Sequence, residues 1–186
     1  MPLTIRDFEV RDFQPPDFDT LWRIDQECFP PGISYSRTEL KIYLRRQAAF
    51  GLVALSASGQ HKDAQKASRR GTRANHSSSA SSDNADADGS IAGFIVAEVE
   101  RGVGHIITID VVAAARRHGV GSLLLDSAEE RLRAAGCRLV ELETAVDNLS
   151  ALPFYKRHGY TVVETLPRYY SNGVDALVLQ KPLVAT

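Results

Sequence analysis

Two cysteines, one methionine and one tryptophan are all that 186 residues contain of those types. Cys28 and Cys137 fit no metal-ligand spacing, so they read as small buried hydrophobes, neither a disulfide nor a nucleophile, and no bound metal is expected. Charge of one sign is missing too. The 22 Lys+Arg against 23 Asp+Glu leave a formal net charge of -1, too little global field to imply nucleic acid or membrane binding. No apolar run approaches the roughly 18 residues of a membrane span, and Met1-Pro2-Leu3 opens no signal-peptide pattern. A soluble, unsecreted, cytoplasmic protein is the expectation. Residues 58–90 contain no Val, Ile, Leu, Met, Phe, Tyr or Trp, so this segment cannot bury enough apolar surface to offset the entropy of ordering it. It reads as a disordered insert within a single domain, 1–186. Its first half is basic (Lys62, Lys66, Arg69, Arg70, Arg73) and its second acidic (Asp83, Asp86, Asp88). Docking on ribosomal RNA or another acidic surface therefore stands as the alternative to a solvated hairpin insertion.

What is present fits one core. Residues 3–11 alternate as a first strand. Asp17 is placed to cap a helix whose positions Phe18, Leu21, Trp22, Asp25 and Cys28 repeat at helical spacing, with Asp25 interrupting the apolar stripe. Ser36-x-x-Glu39 is a capping-box signature opening a second helix over 38–47. Residues 50–57 and 91–100 are strong strands, and Gly102-x-Gly104 turns the chain into another that ends at Val112. A helix over 122–135 buries Leu124, Leu125, Ala128 and Leu132, with Gly136 just past its end. A strand over 140–145, a helix over 149–157 and an antiparallel pair, 160–166 with 176–180, complete an α/β protein with helices on both faces of a mixed sheet.

Residues 109–121, IDVVAAARRHGVG, are the most informative stretch. An apolar strand, a glycine-containing turn and a helix start make a ready anion site, because the first helical N–H groups lack partners and glycine lets backbone approach a phosphate. The plainer reading is a strand-to-helix turn that needs two flexible residues. A dinucleotide fingerprint is excluded, since Leu124 stands where its third small residue should be and too little chain follows for a doubly wound domain. A Walker-type loop is excluded because no Gly-Lys-Ser/Thr follows.

In this setting Arg116-x-x-Gly119-x-Gly121 resembles the acyl-CoA pyrophosphate motif of the GNAT superfamily of N-acetyltransferases. Downstream, Asn148…Phe154-Tyr155…Gly159-Tyr160 is similar to that superfamily's next motif, a strand, a helix started by Asn and a Tyr near its end. The resemblance covers nearly the whole chain except 58–90. One position departs from it: Ala113 stands where the family often has a proline. The resemblance implies a mostly antiparallel sheet flanked by helices, with a V-shaped splay between the central parallel strands, and acetyl-CoA as co-substrate. It also implies that the backbone of Ile109, Asp110 and Val111 bonds the pantetheine arm like an added strand. Arg116, Arg117, His118, Gly119, Val120 and Gly121, helped by Ser122, would hold the pyrophosphate, and Asn148 would contact the arm.

Acyl transfer from a thioester to an amine needs a neutral amine, a polarised carbonyl and a proton for the departing thiolate. By resemblance, Glu143 removes the amine proton, directly or through a water, and Tyr155 returns one to sulfur. Each has a second reading: Glu143 alternates with Glu141 as one polar strand face would, and Tyr155 suits helix-to-sheet packing. His105 and His158 have no partner readable from sequence.

Two further stretches resemble the protein N-terminal (Nα) acetyltransferases, including the RimI-like enzymes that modify ribosomal protein S18. Phe29, Pro30 and Tyr35 fall in a Phe-Pro-rich loop between the first two helices, and Tyr169-Tyr170 between the last two strands, where that branch lines its peptide site. An α-amine (pKa about 7.8) is also roughly 3.5 kcal/mol easier to present neutral than a lysine side chain (about 10.4). A protein or peptide N-terminus is the expected acceptor, with a ribosomal protein among the candidates. A small-molecule amine or lysine as acceptor, or a non-catalytic acyl-CoA sensor, are the alternatives.

Overall fold

The computed structural model describes residues 4–5, 7–56 and 90–183. The expected insert at 58–90 lies outside the described residues except for Ser90, whose carbonyl accepts the Ser56 N–H at 2.9 Å. The elements run β1 (Thr4–Ile5), β2 (Phe8–Asp12), α1 (Phe18–Cys28), α2 (Arg37–Arg45), β3 (Ala49–Ser56), β4 (Ile91–Glu100), β5 (Val103–Val111), α3 (Val120–Ala134), β6 (Leu139–Ala145), α4 (Ala151–Arg157), β7 (Thr161–Leu166) and β8 (Ala176–Pro182). The strands form one sheet in the order β1-β2-β3-β4-β5-β6-β8-β7.

Local chemistry explains most boundaries. Ser36 accepts the Glu39 N–H while Glu39 reaches back to the Ser36 N–H, so the capping box opens α2 as expected. Gly136, at φ +86, follows α3 as its left-handed stop. Three expectations are corrected. The single first strand is two, because the chain reverses at Asp7 and sets Ile5 opposite Phe8. Asp17 does not cap α1 with its side chain. Pro15-Pro16 wind a short 3-10 turn, and the Asp17 carboxylate accepts from the Gln14 N–H at 2.7 Å and from Arg11. Asn148 does not start α4: Ser150 holds the cap position, and Asn148 sits two residues outside.

Two layers of core follow from these amphipathic faces. On one face, Leu124, Leu125, Ala128 and Leu132 of α3 pack on Ala54, Ile95, Ala97, Ile106, Val140 and Leu142, with Tyr155 and Tyr160 beside them. On the other, Leu21 and Ile24 of α1 and Leu40 of α2 cover Val53, Phe94 and Val96.

The sheet changes character at β5. β5 and β6 are its parallel pair, in register from Val103↔Leu139 to Ile106↔Leu142, and beyond that they part. The cause is a bulge: Ala97 opposes Ile106 and the adjacent Val96 opposes Thr108, which leaves Ile107 as the extra residue. A bulge bends its strand and increases twist, and here it also switches faces. Ile106 and Ile109 both pack toward α3, while Ile107 packs toward α1 and α2. Past the bulge, Val111 lies opposite Gly93. A Cβ on Gly93 would stand 2.5 Å from the Asp110 carbonyl oxygen and 3.2 Å from the Val111 Cα. Since backbone cannot yield as a flexible side chain can, Gly93→Ala is expected to cost about 1–3 kcal/mol, measured by urea unfolding.

Candidate active site

The turn after β5 is built for an anion. Gly119 occupies the cap position of α3 at φ +86 and brings no side chain there. The first backbone bond of the helix runs from the Leu123 N–H to the Gly119 carbonyl, so the N–H groups of Val120, Gly121 and Ser122 point out of the helix end. The first turn of α3 carries no acidic residue. Arg116, Arg117 and His118 are exposed around this mouth, and the His118 Nδ1 lies 2.8 Å from the Arg116 carbonyl. Gly121 faces α4, where an added Cβ would touch the Phe154 ring at 3.4 Å. Asn148 is half-buried where β6 ends, with its Oδ1 accepting from Ser150 at 3.0 Å. A cationic rim, free helical N–H groups and a parted strand suit a pyrophosphate with an extended polar arm. The Arg116 side chain folds back, donating from Nε to the Val111 carbonyl at 2.9 Å and lying 3.5 Å from Cys28 Sγ.

Two proton-handling groups, Glu143 and His105, meet on the face covered by α1 and α2, and a third, Tyr155, stands in the core on the α3 side. Glu143 on β6 and His105 on β5 meet at 2.7 Å between Oε2 and Nε2. Burial alone would push the imidazole's pKa down. The hydrogen bond to Glu143 and the charges of Glu143, Glu98 and Glu141 outweigh it and hold the pKa above the ordinary value. Glu141 instead accepts from the Gln180 amide, so the two alternating glutamates of β6 have separate partners. Tyr155 of α4 is 6% exposed and packs edge-on against Phe154 and Tyr160 at 5.1 and 5.5 Å. Burial, with the charges of Asp110 and Tyr170, pushes its hydroxyl pKa up, so it stays protonated and able to donate.

The two loops expected to line an acceptor site come together. Tyr35 donates from its hydroxyl to the Ile107 carbonyl at 3.2 Å, at the bulge that opens the strands. Its backbone is held by Asp25, which accepts the Tyr35 N–H at 2.8 Å, and by Gln26, which donates to the Tyr35 carbonyl at 2.8 Å. Ser171 donates to the Gly32 carbonyl at 3.2 Å, joining this loop to the one carrying Tyr169 and Tyr170. Those two rings pack edge-on at 5.1 Å, and both hydroxyls have pKa values raised first by burial and then by neighbours that include Glu143. Phe29 is half-buried and Pro30 exposed at the start of the first loop.

Sequence reasoning missed several features of this face. His105 has a partner after all. The two-residue turn at Arg101-Gly102, both at positive φ, fixes Glu98 opposite His105, and that pairing was countable from the sequence. Tyr43 joins the aromatic set, edge-on to Tyr35 at 5.3 Å. Asp25 does not interrupt the apolar face of α1 but is fully buried, and Asp110 is buried across from it on β5.

The family described as Acetyltransferase (GNAT) family matches residues 18–160. The chain is 38% identical over 98 residues to an uncharacterized N-acetyltransferase of Methanocaldococcus jannaschii, covering 52% of this chain and 63% of that protein. It is 31% identical over 112 residues to an N-alpha-acetyltransferase of Sulfurisphaera tokodaii, covering 53% of this chain and 67% of that one. The chain thus spans about two thirds of the length of these relatives. In fold it is similar to Ard1 from Thermoplasma volcanium, with a TM-score of 0.74 at 24% identity over 96% of this chain and 99% of the other.

The buried acids give the fold a pH dependence. Burial pushes the Asp25 carboxyl up to about 6 and the Asp110 carboxyl up to about 8, from an ordinary 3.8. One Oδ1 of each is buried without a hydrogen-bond partner among the described residues. The folded chain keeps protons that the unfolded chain has released. The stability linked to them is therefore complete below the ordinary carboxylate value and is lost as pH rises through about 6 and then about 8. Asp110→Asn removes the larger penalty. Its melting temperature is expected to exceed the parent's by several degrees at about pH 8.5 and by less at about pH 5, as calorimetry would record.

Proposed function

The chain belongs to the acetyltransferase (GNAT) family, and on that premise we propose that it transfers acetyl from acetyl-CoA to the N-terminal α-amine of a protein or peptide, with both substrates bound together. One arrangement carries the reading. The Glu143–His105 pair, 2.7 Å apart, lies where β5 and β6 part, with Tyr35 anchored on Ile107 beside it and the Tyr169-Tyr170 loop tied to the same wall.

When bound, acetyl-CoA supplies an activated thioester. The residues that would hold it are the α3 mouth from Arg116 to Ser122, the β5 backbone at Ile109, Asp110 and Val111, and Asn148. Glu143, next to His105, takes the proton from the acceptor's amine, and Tyr155 gives one to the leaving sulfur. Phe29, Pro30, Tyr35, Tyr169 and Tyr170 grip the acceptor's first residues, since tyrosine offers a flat apolar face with a polar tip and proline stiffens a loop. An α-amine needs only modest help to be neutral, which suits one carboxylate better than lysine would. The same proposal sets the reaction in the cytoplasm and makes a ribosomal protein the first natural acceptor to try.

Purified protein, acetyl-CoA and short peptides with free N-termini, blocked N-termini or internal lysine, followed by mass spectrometry, test the acceptor. Acetylation confined to free N-termini is expected, and product on lysine alone, or none, would overturn the reading. Glu143→Gln should lower kcat about 100-fold and Tyr155→Phe about 10-fold or more, with acetyl-CoA affinity by calorimetry nearly unchanged in both. Gly121→Trp should abolish that binding, because the new side chain fills the space beside the helix mouth.

A further inference from the structure

The helix α2 has two sides of different chemistry. On one, Tyr43 meets Tyr35 edge-on and borders the acceptor loops. Lys41 lies two residues from Tyr43 and so about 200° round the helix, on the far side. There Arg37, Lys41 and Arg45, each four residues from the next, form one exposed cationic stripe. The stripe lines an open groove of about 1020 Å3, and Pro15, Pro16 and Phe18, ahead of and at the start of α1, form its other wall. Ile42, 52% exposed, adds an apolar patch to the α2 wall. Asp19 is the one acid among the described residues lining the groove. Arg37 pairs with it and lies over the Phe18 and Trp22 rings at 5.4 and 4.9 Å. Arg46, also in the lining, donates to both Glu98 oxygens at 2.8 and 3.0 Å. Glu39, the only acid of α2, is taken up in the capping box with Ser36. Lys41 and Arg45 are left exposed, with no ion pair among the described residues.

We propose that this groove binds an acidic segment of the acceptor protein, a few residues after the N-terminus that is acetylated. This rests on the reading of the acceptor as a protein N-terminus. Charge and spacing match. Lys41 and Arg45 are about 6 Å apart along the helix, and alternate side chains of an extended peptide are about 6.6 Å apart. Two carboxylates separated by one residue therefore each face a cation. The side chain between them points the other way, toward Pro15, Pro16 and Phe18, so small or apolar residues suit that position. A nucleic acid strand fits less well, because only two of the four cations are free to meet its phosphates and Asp19 stands among them. Position matches as well. Arg46 lines the groove and also lies 4.4 Å above the Tyr43 ring, which borders Tyr35. A chain leaving the acceptor loops thus reaches the groove by passing the C-terminal end of α2. The helix with its side chains is about 10–12 Å across, a span of about four extended residues. With the first residues held by the tyrosine loops, the carboxylates fall at about positions 6–10 of the acceptor. These contacts are the same before and during acyl transfer, so they lower KM and leave kcat alone.

The test uses peptides that share their first five residues and differ only over the next five, as Asp-Ala-Asp-Ala-Asp, Asn-Ala-Asn-Ala-Asn or Lys-Ala-Lys-Ala-Lys. With saturating acetyl-CoA at low salt, KM for the Asp peptide should be about 3- to 10-fold below that for the Asn peptide. Their kcat values should be equal, and the Lys peptide should have the highest KM. The advantage should shrink as salt is raised, since exposed charges are screened. Lys41→Glu with Arg45→Glu should abolish or reverse the preference and leave turnover of the Asn peptide at the parent's level. Lys41→Ala with Arg45→Ala should abolish it too, and serves if new acids near the end of α2 impair folding. Equal KM for the Asp and Asn peptides in the parent, or a preference that survives both double variants, would overturn the proposal. Binding of single-stranded RNA that these variants lose, without any acidic-peptide preference, would overturn it and identify the other occupant. If no peptide is acetylated, the acceptor reading fails on its own. NMR titration of the 15N-labelled protein with an Nα-blocked Asp peptide then decides the groove. Shifts at the Lys41, Ile42 and Arg45 amides that vanish in the Ala variant uphold it, and an unchanged spectrum overturns it.

Discussion

A single extra residue in β5 sets the rest of the molecule's working geometry. With Ile107 inserted opposite the Val96-Ala97 step, β5 can no longer run beside β6 beyond Ile106↔Leu142. A strand that loses its partner inside a sheet exposes backbone groups that must find others. At the bulge, the Ile107 carbonyl is taken by the Tyr35 hydroxyl, so the loop after α1 is anchored at the opening itself. Further along, the Val111 carbonyl is taken by Arg116. The opening, the loop that borders it and the turn into α3 are consequences of one backbone irregularity.

The same irregularity decides where charge is buried. By switching the faces of β5, the bulge sends Asp110 under α1, where Thr108 donates to it at 2.8 Å and Asp25 stands near enough to raise its pKa. Two buried carboxyls so close favour a protonated state, which is costly above neutral pH. Asp25 has compensating work in holding the backbone of Tyr35. Before the bulge the arrangement differs. Glu98, Glu141 and Glu143 each have a hydrogen-bonding partner, in Arg46, Gln180 and His105. One face thus holds two poorly compensated buried acids at one end and three hydrogen-bonded ones at the other, and the bulge marks the boundary between them.

Much of this was legible in the residues. The capping box at Ser36, the glycine after α3, the four apolar positions on the inner face of α3 and the Gly119-x-Gly121 mouth all follow from contacts within one turn or one strand. The aromatic loops around Tyr35 and Tyr169-Tyr170 were placed by resemblance, and they meet through Ser171 and Gly32. Even Glu98 opposite His105 was within reach, because a two-residue turn fixes the register of the hairpin it joins. Errors fell where a local preference had two outlets. Asp17 serves the 3-10 turn before it instead of the helix after it, and Asn148 lies outside α4 because Ser150 takes the cap position.

The sequence by itself determined the elements, the anion-ready turn and the residue types at the site, because periodicity, caps and turns act over a few neighbours in the chain. Tertiary structure alone decided the meeting of His105 with Glu143, which needs parallel strands joined through all of α3, and the burial of Asp25 near Asp110, which needs α1 laid across a bulged strand. Alternation by itself would have kept Ile106, Thr108 and Asp110 on one face. No local signal marks Ile107 as the residue that breaks it, since the bulge exists only once β4 is paired alongside.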